Sequence, residues 1–344
     1  MNITSDLITL AGAPGSPYTR KLLAVLRYRR LPYRWITRRQ VVEAGLPSPK
    51  VPLMPTVWRP GPNGVQPHTD TTPLIRTFEA EFPGRGVIPA DPVMAMVDAL
   101  VEDYADEWLT KAMFHYRWVY QKDIDQSTAM LPLWFDPHRP DDVIKKDGKA
   151  FAERQIGRLH VVGSSPATAS TIEDSFRRFL KCLDAHLVQH RFLAGARPGA
   201  ADFAVFGQLT QLATFDPTPM ALTLSLAPRV YAWVTFVEDL TGIEPEEADW
   251  FTNQSCPDSV RTILSEIGRT YVPVMLENAR AAAAGHQSFS LDLNGAEWTQ
   301  RTFPYQAKCV RWLREAFSAL DGADQSAFLG ILDGTGCEAL FAGA

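Results

Sequence analysis

The sequence predicts two domains of different kinds, a mixed α/β unit over residues 1–86 followed by an all-helical one. Three observations predict this. Strand and helix signals alternate as βαβ and then ββα up to about residue 82. The segment "GRGVIPADP" (84–92) has the Gly and Pro density of a linker. Beyond it helical periodicity dominates and strand signals nearly vanish.

The elements follow in order. "DLITLAG" (6–12) reads as a short buried strand, and "SPYTRKLLAVLRYRR" (16–30) as a helix whose apolar face is Leu22, Leu23, Val25 and Leu26. "PYRWIT" (32–37) is a second strand; two strands joined by a crossover helix imply a parallel pair. A strand at "TVWR", a "PNG" turn, a short strand at "VQP" and a helix opening after Asp70 complete a four-stranded mixed sheet. Helices are expected near 92–122, 148–162, 168–190, 200–215, 227–241, 257–284 and 304–320, with "PLWFDPHRPDD" and "FDPTPMALTLSLAP" as irregular connectors. Residues from about 286 onward are expected to form an appended helical piece that must pack on something.

At 344 residues, 46% hydrophobic and 21% charged, the chain has the make-up of an ordinary soluble protein with room for two cores. No stretch reaches the length a membrane span needs, and the start lacks a basic, apolar leader; a cytoplasmic protein with no membrane partner is expected. Cys182, Cys256, Cys309 and Cys337 are widely spaced and suggest neither disulfides nor a zinc cluster. Residues 1–90 carry 12 Lys and Arg against 5 Asp and Glu, a balance of +7, which leaves −12 for the remainder. A basic first domain suits a small anionic ligand. The acidic remainder argues against a nucleic-acid partner, and the Arg-aromatic run "RYRRLPYRWITRR" (27–39) fits a half-buried strand beside a basic helix end.

Four stretches, in this order and spacing, carry a resemblance to the glutathione transferase superfamily. "GSPYTRK" (15–21) resembles the turn where serine-type members place their active hydroxyl, and "LMPT" (53–56) the loop whose proline is cis. "DTTPLIRTFE" (70–79) is similar to the family's Glu-Ser pattern, and "RPGAADFAVFGQL" (197–209) to the start of a helix in its C-terminal domain, with Asp202 as capping acid. The resemblance spans roughly residues 5–245. It implies a thioredoxin-like domain over 1–86, an all-α domain over 92–245, and an additional helical extension over 246–344 that lies outside it. Asp70–Thr71 departs mildly from Glu-Ser, and Gly199 stands where Ser or Thr usually begins the cap, so that cap rests on Asp202 or on backbone alone.

Glutathione as co-substrate is what the resemblance implies, with Ser16 as the catalytic hydroxyl. A serine before proline is also a plain N-cap and N1 pair, and the two roles are compatible: the oxygen accepts from backbone while the proton stays available. Lowering a thiol pKa of about 8.5 by about two units takes about 2.7 kcal/mol. One charge-assisted hydrogen bond supplies about 1.5–3 kcal/mol and a helix N-terminus about 0.3–1 kcal/mol. Tyr18 and Thr19 are the alternative hydroxyls. With no cysteine before Cys182, dithiol exchange in the first domain is excluded.

Backbone at Met54, presented by a cis Met54–Pro55 bond, would pair with the extended peptide, and Asp70 and Thr71 at a helix start would hold the γ-glutamyl ammonium and carboxylate. "DTTP" is equally a plain N-cap sequence. Arg20, Lys21, Arg34, Arg38 and Arg39 either hold the second carboxylate or solvate the surface.

The helix "VEDYADEWLTKAMFHYRWVYQ" (101–121) carries too many aromatics for one stripe to bury, which makes Tyr104, Trp108 and His115 candidates for a second-substrate pocket. Its Glu102, Asp103, Asp106 and Glu107 read as a solvated or ion-paired face and His186 with His190 as structural, so no metal is expected. The resemblance thus implies a cytoplasmic homodimer that conjugates glutathione to a hydrophobic small-molecule electrophile, as in detoxification. The alternative is a binding or regulatory protein on the same scaffold.

Overall fold

The computed structural model describes residues 3–4 and 6–343. Its N-terminal unit runs β1 (Ile8–Ala11), α1 (Pro17–Tyr28), β2 (Tyr33–Ile36), a short α2 (Arg38–Glu43), β3 (Thr56–Gly61), β4 (Gly64–His68) and α3 (Thr71–Glu81). The strands stand in the order β2-β1-β3-β4, with β1 and β2 parallel and β3 antiparallel to both β1 and β4. Leu22, Leu23, Val25 and Leu26 of α1 are fully buried, in one core with Leu10, Val57, Ile75 and Phe78. The sheet is the four-stranded mixed one expected from the element order, and the fold is the thioredoxin-like unit that the resemblance implies.

Helices α4 (Pro92–Tyr104), α5 (Thr110–Val119), α6 (Gln121–Phe135), α7 (Asp141–Ile156), α8 (Ala169–His186), α9 (Ala200–Leu212), α10 (Pro217–Leu226) and α11 (Pro228–Val237) build the second unit. Every residue of α9 is buried. Its start is capped as the Gly199 departure requires: Asp202 Oδ2 accepts from Gly199 N at 2.9 Å and Oδ1 from Leu193 N at 2.8 Å. α1 crosses α9 at Gly207, where a Cβ would lie 2.5 Å from the Pro17 carbonyl, so glycine is what lets the two domains close on each other.

Four expectations are corrected. The single helix expected over 92–122 is interrupted by a π-turn at Ala105–Leu109. Tyr18 Oη donates to the Asp106 carbonyl in that turn at 2.7 Å, which satisfies an acceptor where the helical ladder is irregular. "PLWFDPHRPDD" is not wholly irregular, because its first residues end α6, on which α7 lies so closely that a Cβ on Gly148 would stand 2.3 Å from the Thr128 carbonyl. "FDPTPMALTLSLAP" contains α10, whose prolines sit in a first turn where no backbone donor is needed.

The extension is not purely helical. α12 (Asp258–Ala283) leads into a hairpin of β5 (Ser288–Leu293) and β6 (Ala296–Arg301), followed by α13 (Pro304–Ser318) and α14 (Gly322–Leu332). Asn294 and Gly295 turn the hairpin with φ of 58° and 85°, the Asn-Gly signature of a two-residue loop.

Candidate functional site

Ser16 is the N-cap of α1. Its Oγ accepts from Thr19 N at 3.3 Å and, among the described residues, its proton has no acceptor. The loop before it is held from the helical domain. Gln211 Nε2 donates to the Pro14 carbonyl at 3.0 Å, and Arg117 Nη1 to the Gly15 carbonyl at 3.1 Å. Arg117 is itself fixed by Asp216, at 2.9 Å from Nε to Oδ1 and 2.8 Å from Nη2 to Oδ2, and by Gln211 Oε1 at 2.7 Å. Gly15 also abuts α6, where a Cβ would come within 2.4 Å of Leu131.

Met54–Pro55 is cis, and Met54 is 40% exposed. Neither its N–H nor its carbonyl has a partner among the described residues, which leaves both free for an extended ligand. At the third station Asp70 adopts φ 77° ahead of α3 and makes no side-chain cap, so the N–H groups of Thr71 and Thr72 stay available. Asp70 Oδ2 accepts from Tyr305 Oη of α13 at 2.8 Å. The extension therefore reaches the helix start to which the sequence reading assigns the γ-glutamyl end.

A cleft of about 880 Å³ opens between these loops and the α6–α7 pair. Gly12, Pro14 and Met54 line it on one side, and Leu131, Trp134 and Phe151 on the other. Ser16, Asp70 and Thr71 lie outside this lining. Tyr104, Trp108 and His115 do not reach the cleft at all, and each is at most 1% exposed.

Tyr104 packs on Phe179 and Tyr271, and Trp108 on Trp298 at 5.2 Å between ring centroids. His115 sits between Ser164 Oγ at 2.8 Å and Glu173 Oε1 at 3.2 Å, and burial lowers its pKa. The extension covers Tyr104 and Trp108 through Tyr271 and Trp298, while Ser164 and Glu173 of the helical domain cover His115, so these side chains fill core on more than one face and line no cavity.

Lys21 is likewise no carboxylate receptor. It is 1% exposed, with Nζ 2.8 Å from Glu102 Oε1 and 2.6 Å from Asp106 Oδ2, while Arg20 pairs with Glu238. Arg38 and Arg39 do line the cleft. The acidic face expected to be solvated or ion-paired is ion-paired at Glu102 and Asp106, and it is buried except at the half-buried Asp103. Burial raises Asp103 to about 7, against a hydrogen bond from Tyr271, and raises Glu107 to about 8 with Asp103 adding to it. Glu102 goes the other way: Arg76 and Lys21 outweigh burial and hold it at about 2.

A pH dependence follows. Between about pH 4 and the raised values, Asp103 and Glu107 keep protons in the folded chain that the unfolded chain has released, so stability falls as pH rises through that window. Urea midpoints are expected to decline from pH 5 to pH 9, and Glu107→Gln to flatten the slope; a midpoint that climbs over this range contradicts the assignment.

Sequence reasoning missed Arg117, Gln211, Trp134, Phe151 and Tyr305. Trp134 lay in a stretch read as a connector, and Phe151 in the helix expected over 148–162 with no role assigned to it.

Residues 10–86 match the family model described as glutathione S-transferase, N-terminal domain, and residues 150–235 the one described as glutathione S-transferase, C-terminal domain. No curated protein matches the chain. Similar solved structures include a glutathione S-transferase from Rhodospirillum rubrum F11, at 16% identity over 75% of this chain and 91% of that one, TM-score 0.40. A glutathione transferase from Pseudomonas putida, with one glutathione disulfide bound per subunit, is 14% identical over 68% and 91%, TM-score 0.37. FzlA from C. crescentus is 16% identical over 75% and 92%, TM-score 0.39. With both domain types matched in order and the sheet, the cis proline and the capped α9 in place, the chain belongs to the glutathione transferase superfamily.

Proposed function

We propose that the protein joins the sulfur of glutathione to an electrophilic carbon of a hydrophobic small molecule. The observation that carries this reading is Ser16: a helix-capping hydroxyl whose proton is uncommitted, set at the N-terminal end of α1 beside a loop that lines an open cleft. The tripeptide's backbone would pair with Met54, and its γ-glutamyl end would sit at Asp70 and Thr71. The thiol proton leaves to solvent, Ser16 donates to the resulting thiolate, and the sulfur forms the new bond to carbon as the leaving group departs with the old bonding pair. The dipole of α1 supports the negative charge.

Calorimetry with glutathione tests the binding half; no binding at millimolar concentration removes the proposal. Ser16→Ala tests the chemistry. It is expected to reduce kcat/KM toward an aryl halide by about ten- to a hundredfold and to raise the pKa of the bound thiol, read from thiolate absorbance.

One observation favours a second reading, a glutathione transferase-fold binding protein with little turnover. Tyr305 occupies one carboxylate oxygen of Asp70, and α13 stands over the start of α3. Under that reading, Ser16→Ala leaves an already minimal rate unchanged.

A further inference from the structure

We propose that the cleft between the cis-proline loop and α6–α7 selects aromatic electrophiles that carry an anionic group, a carboxylate or sulfonate; the proposal names the second substrate and rests on the transferase reading above. The apolar part of the recognition is visible as exposed hydrophobic surface. Trp35 and Met54 are each 40% exposed and Leu53 is 46% exposed, and all three line this one cleft. Trp134 and Phe151 face them from α6 and α7, which makes walls suited to a flat ring.

The polar part is charge. Arg38, Arg39, Arg139 and Arg154 line the cleft against only two carboxylates, Asp136 and Asp147. Arg38 and Arg39 belong to the basic first 90 residues, whereas Arg139 and Arg154 come from the remainder of the chain, whose balance is −12, so the cation on the α7 wall is local and not background. Two of the arginines are already committed: Arg39 Nε pairs with Glu43 Oε1 at 2.7 Å, and Arg139 pairs with Asp147. Asp136 Oδ1 accepts from His138 N at 3.0 Å.

Arg38 and Arg154 have no carboxylate within salt-bridge distance among the described residues. The Arg154 guanidinium carbon lies 5.1 Å from the centre of the Phe151 ring, which seats the group on the apolar wall, and its donors have no hydrogen-bond partner among the described residues. A flat ring held between aromatic walls with a free arginine at the edge matches an aromatic anion. Arg38 stands on the α2 wall, where it is a candidate for glutathione's own second carboxylate, so Arg154 on the α7 wall carries the selection: a neutral ring would leave that arginine unused, and a purely polar anion would leave the aromatic walls unused.

The transfer itself is unchanged: sulfur bonds to the ring carbon, halide leaves with its electrons, and the anionic group is a handle that does not react.

The test compares chlorodinitrobenzene with its carboxylate analogue, chlorodinitrobenzoate, at saturating glutathione, each rate taken relative to its uncatalysed reaction. The wild-type protein is expected to favour the carboxylate, with a preference that shrinks as salt is added. Arg154→Gln is expected to cut that preference about tenfold or more, and Arg154→Lys to keep most of it. A wild-type preference for the neutral compound, or a preference that Arg154→Gln leaves intact, overturns the proposal.

If neither compound is turned over, the transferase reading fails, and binding then decides the cleft separately. Anilinonaphthalene sulfonate binding more tightly than neutral N-phenylnaphthylamine, with the difference lost in Arg154→Gln, sustains anion selection; equal binding of the two dyes overturns it.

Discussion

Replacing Lys21 with methionine is expected to destabilise the protein by about 3–5 kcal/mol, although methionine is nearly isosteric and α1 tolerates it well. Lys21 is the cation between two carboxylates of the α4 and π-turn region, Glu102 and Asp106, at 2.8 Å and 2.6 Å. Arg76 Nη2 reaches only the other oxygen of Glu102, at 2.7 Å. Without Lys21, Asp106 keeps only Thr72 Oγ1 at 3.4 Å in a largely buried place, and the two acids face each other. Breaking a buried pair costs more than removing it whole. Lys21→Met combined with Glu102→Gln and Asp106→Asn is therefore expected to regain much of the loss, with the urea midpoint as the readout. A single-variant loss below about 1 kcal/mol would mean that the cluster is hydrated.

Arg117→Met is expected to cost a similar amount, about 3–5 kcal/mol, by stranding Asp216, which is fully buried. Its second effect falls on the site. Arg117 and Gln211 together hold the carbonyls of Gly15 and Pro14, the two residues that lead into Ser16. With that strut gone, the hydroxyl loses its fixed position over the N-terminus of α1. Conjugation measured well below the variant's melting temperature is expected to fall by tenfold or more through misplacement alone. Gln211→Leu, which removes one loop contact and leaves the Arg117–Asp216 pair, should show a smaller version of the kinetic effect with a smaller loss of stability. Arg117→Met activity equal to wild type under folded conditions would show that the loop keeps its geometry unaided.

What could be read from the sequence was what neighbours in the chain decide. The cap at Ser16 involves a few consecutive residues, so its chemistry is spelled out locally; the cis bond at Met54–Pro55 and the cap at Asp202 were implied by the family resemblance of the short stretches that hold them. The strut could not be read, because Arg117 lies 102 residues from Gly15 and Gln211 lies 197 from Pro14. Lys21 reads as a surface cation on an amphipathic helix, and only the approach of α4 makes it a buried one. The aromatics of residues 101–121 misled for a related reason. Counting how many apolar side chains a helix can bury presumes one buried face, and the extension supplies a second. The hairpin within that extension was legible in "LNGA", where Asn-Gly stands between alternating segments, but the helical context on either side masked it.

The contact between Tyr305 and Asp70 joins residues 235 positions apart, and Lys111 likewise donates to Gln300, 189 positions on, at 2.9 Å. A ribosome delivers the earlier partner of each pair long before the later one. During that interval the nascent chain carries an open seam, with Asp70 of the first domain lacking Tyr305, and Trp108 and Lys111 of the helical domain lacking Trp298 and Gln300. Synthesis of residues 298–305 therefore supplies what seals segments made long before, and a product stalled or truncated ahead of them would emerge with that seam exposed to chaperones and proteases.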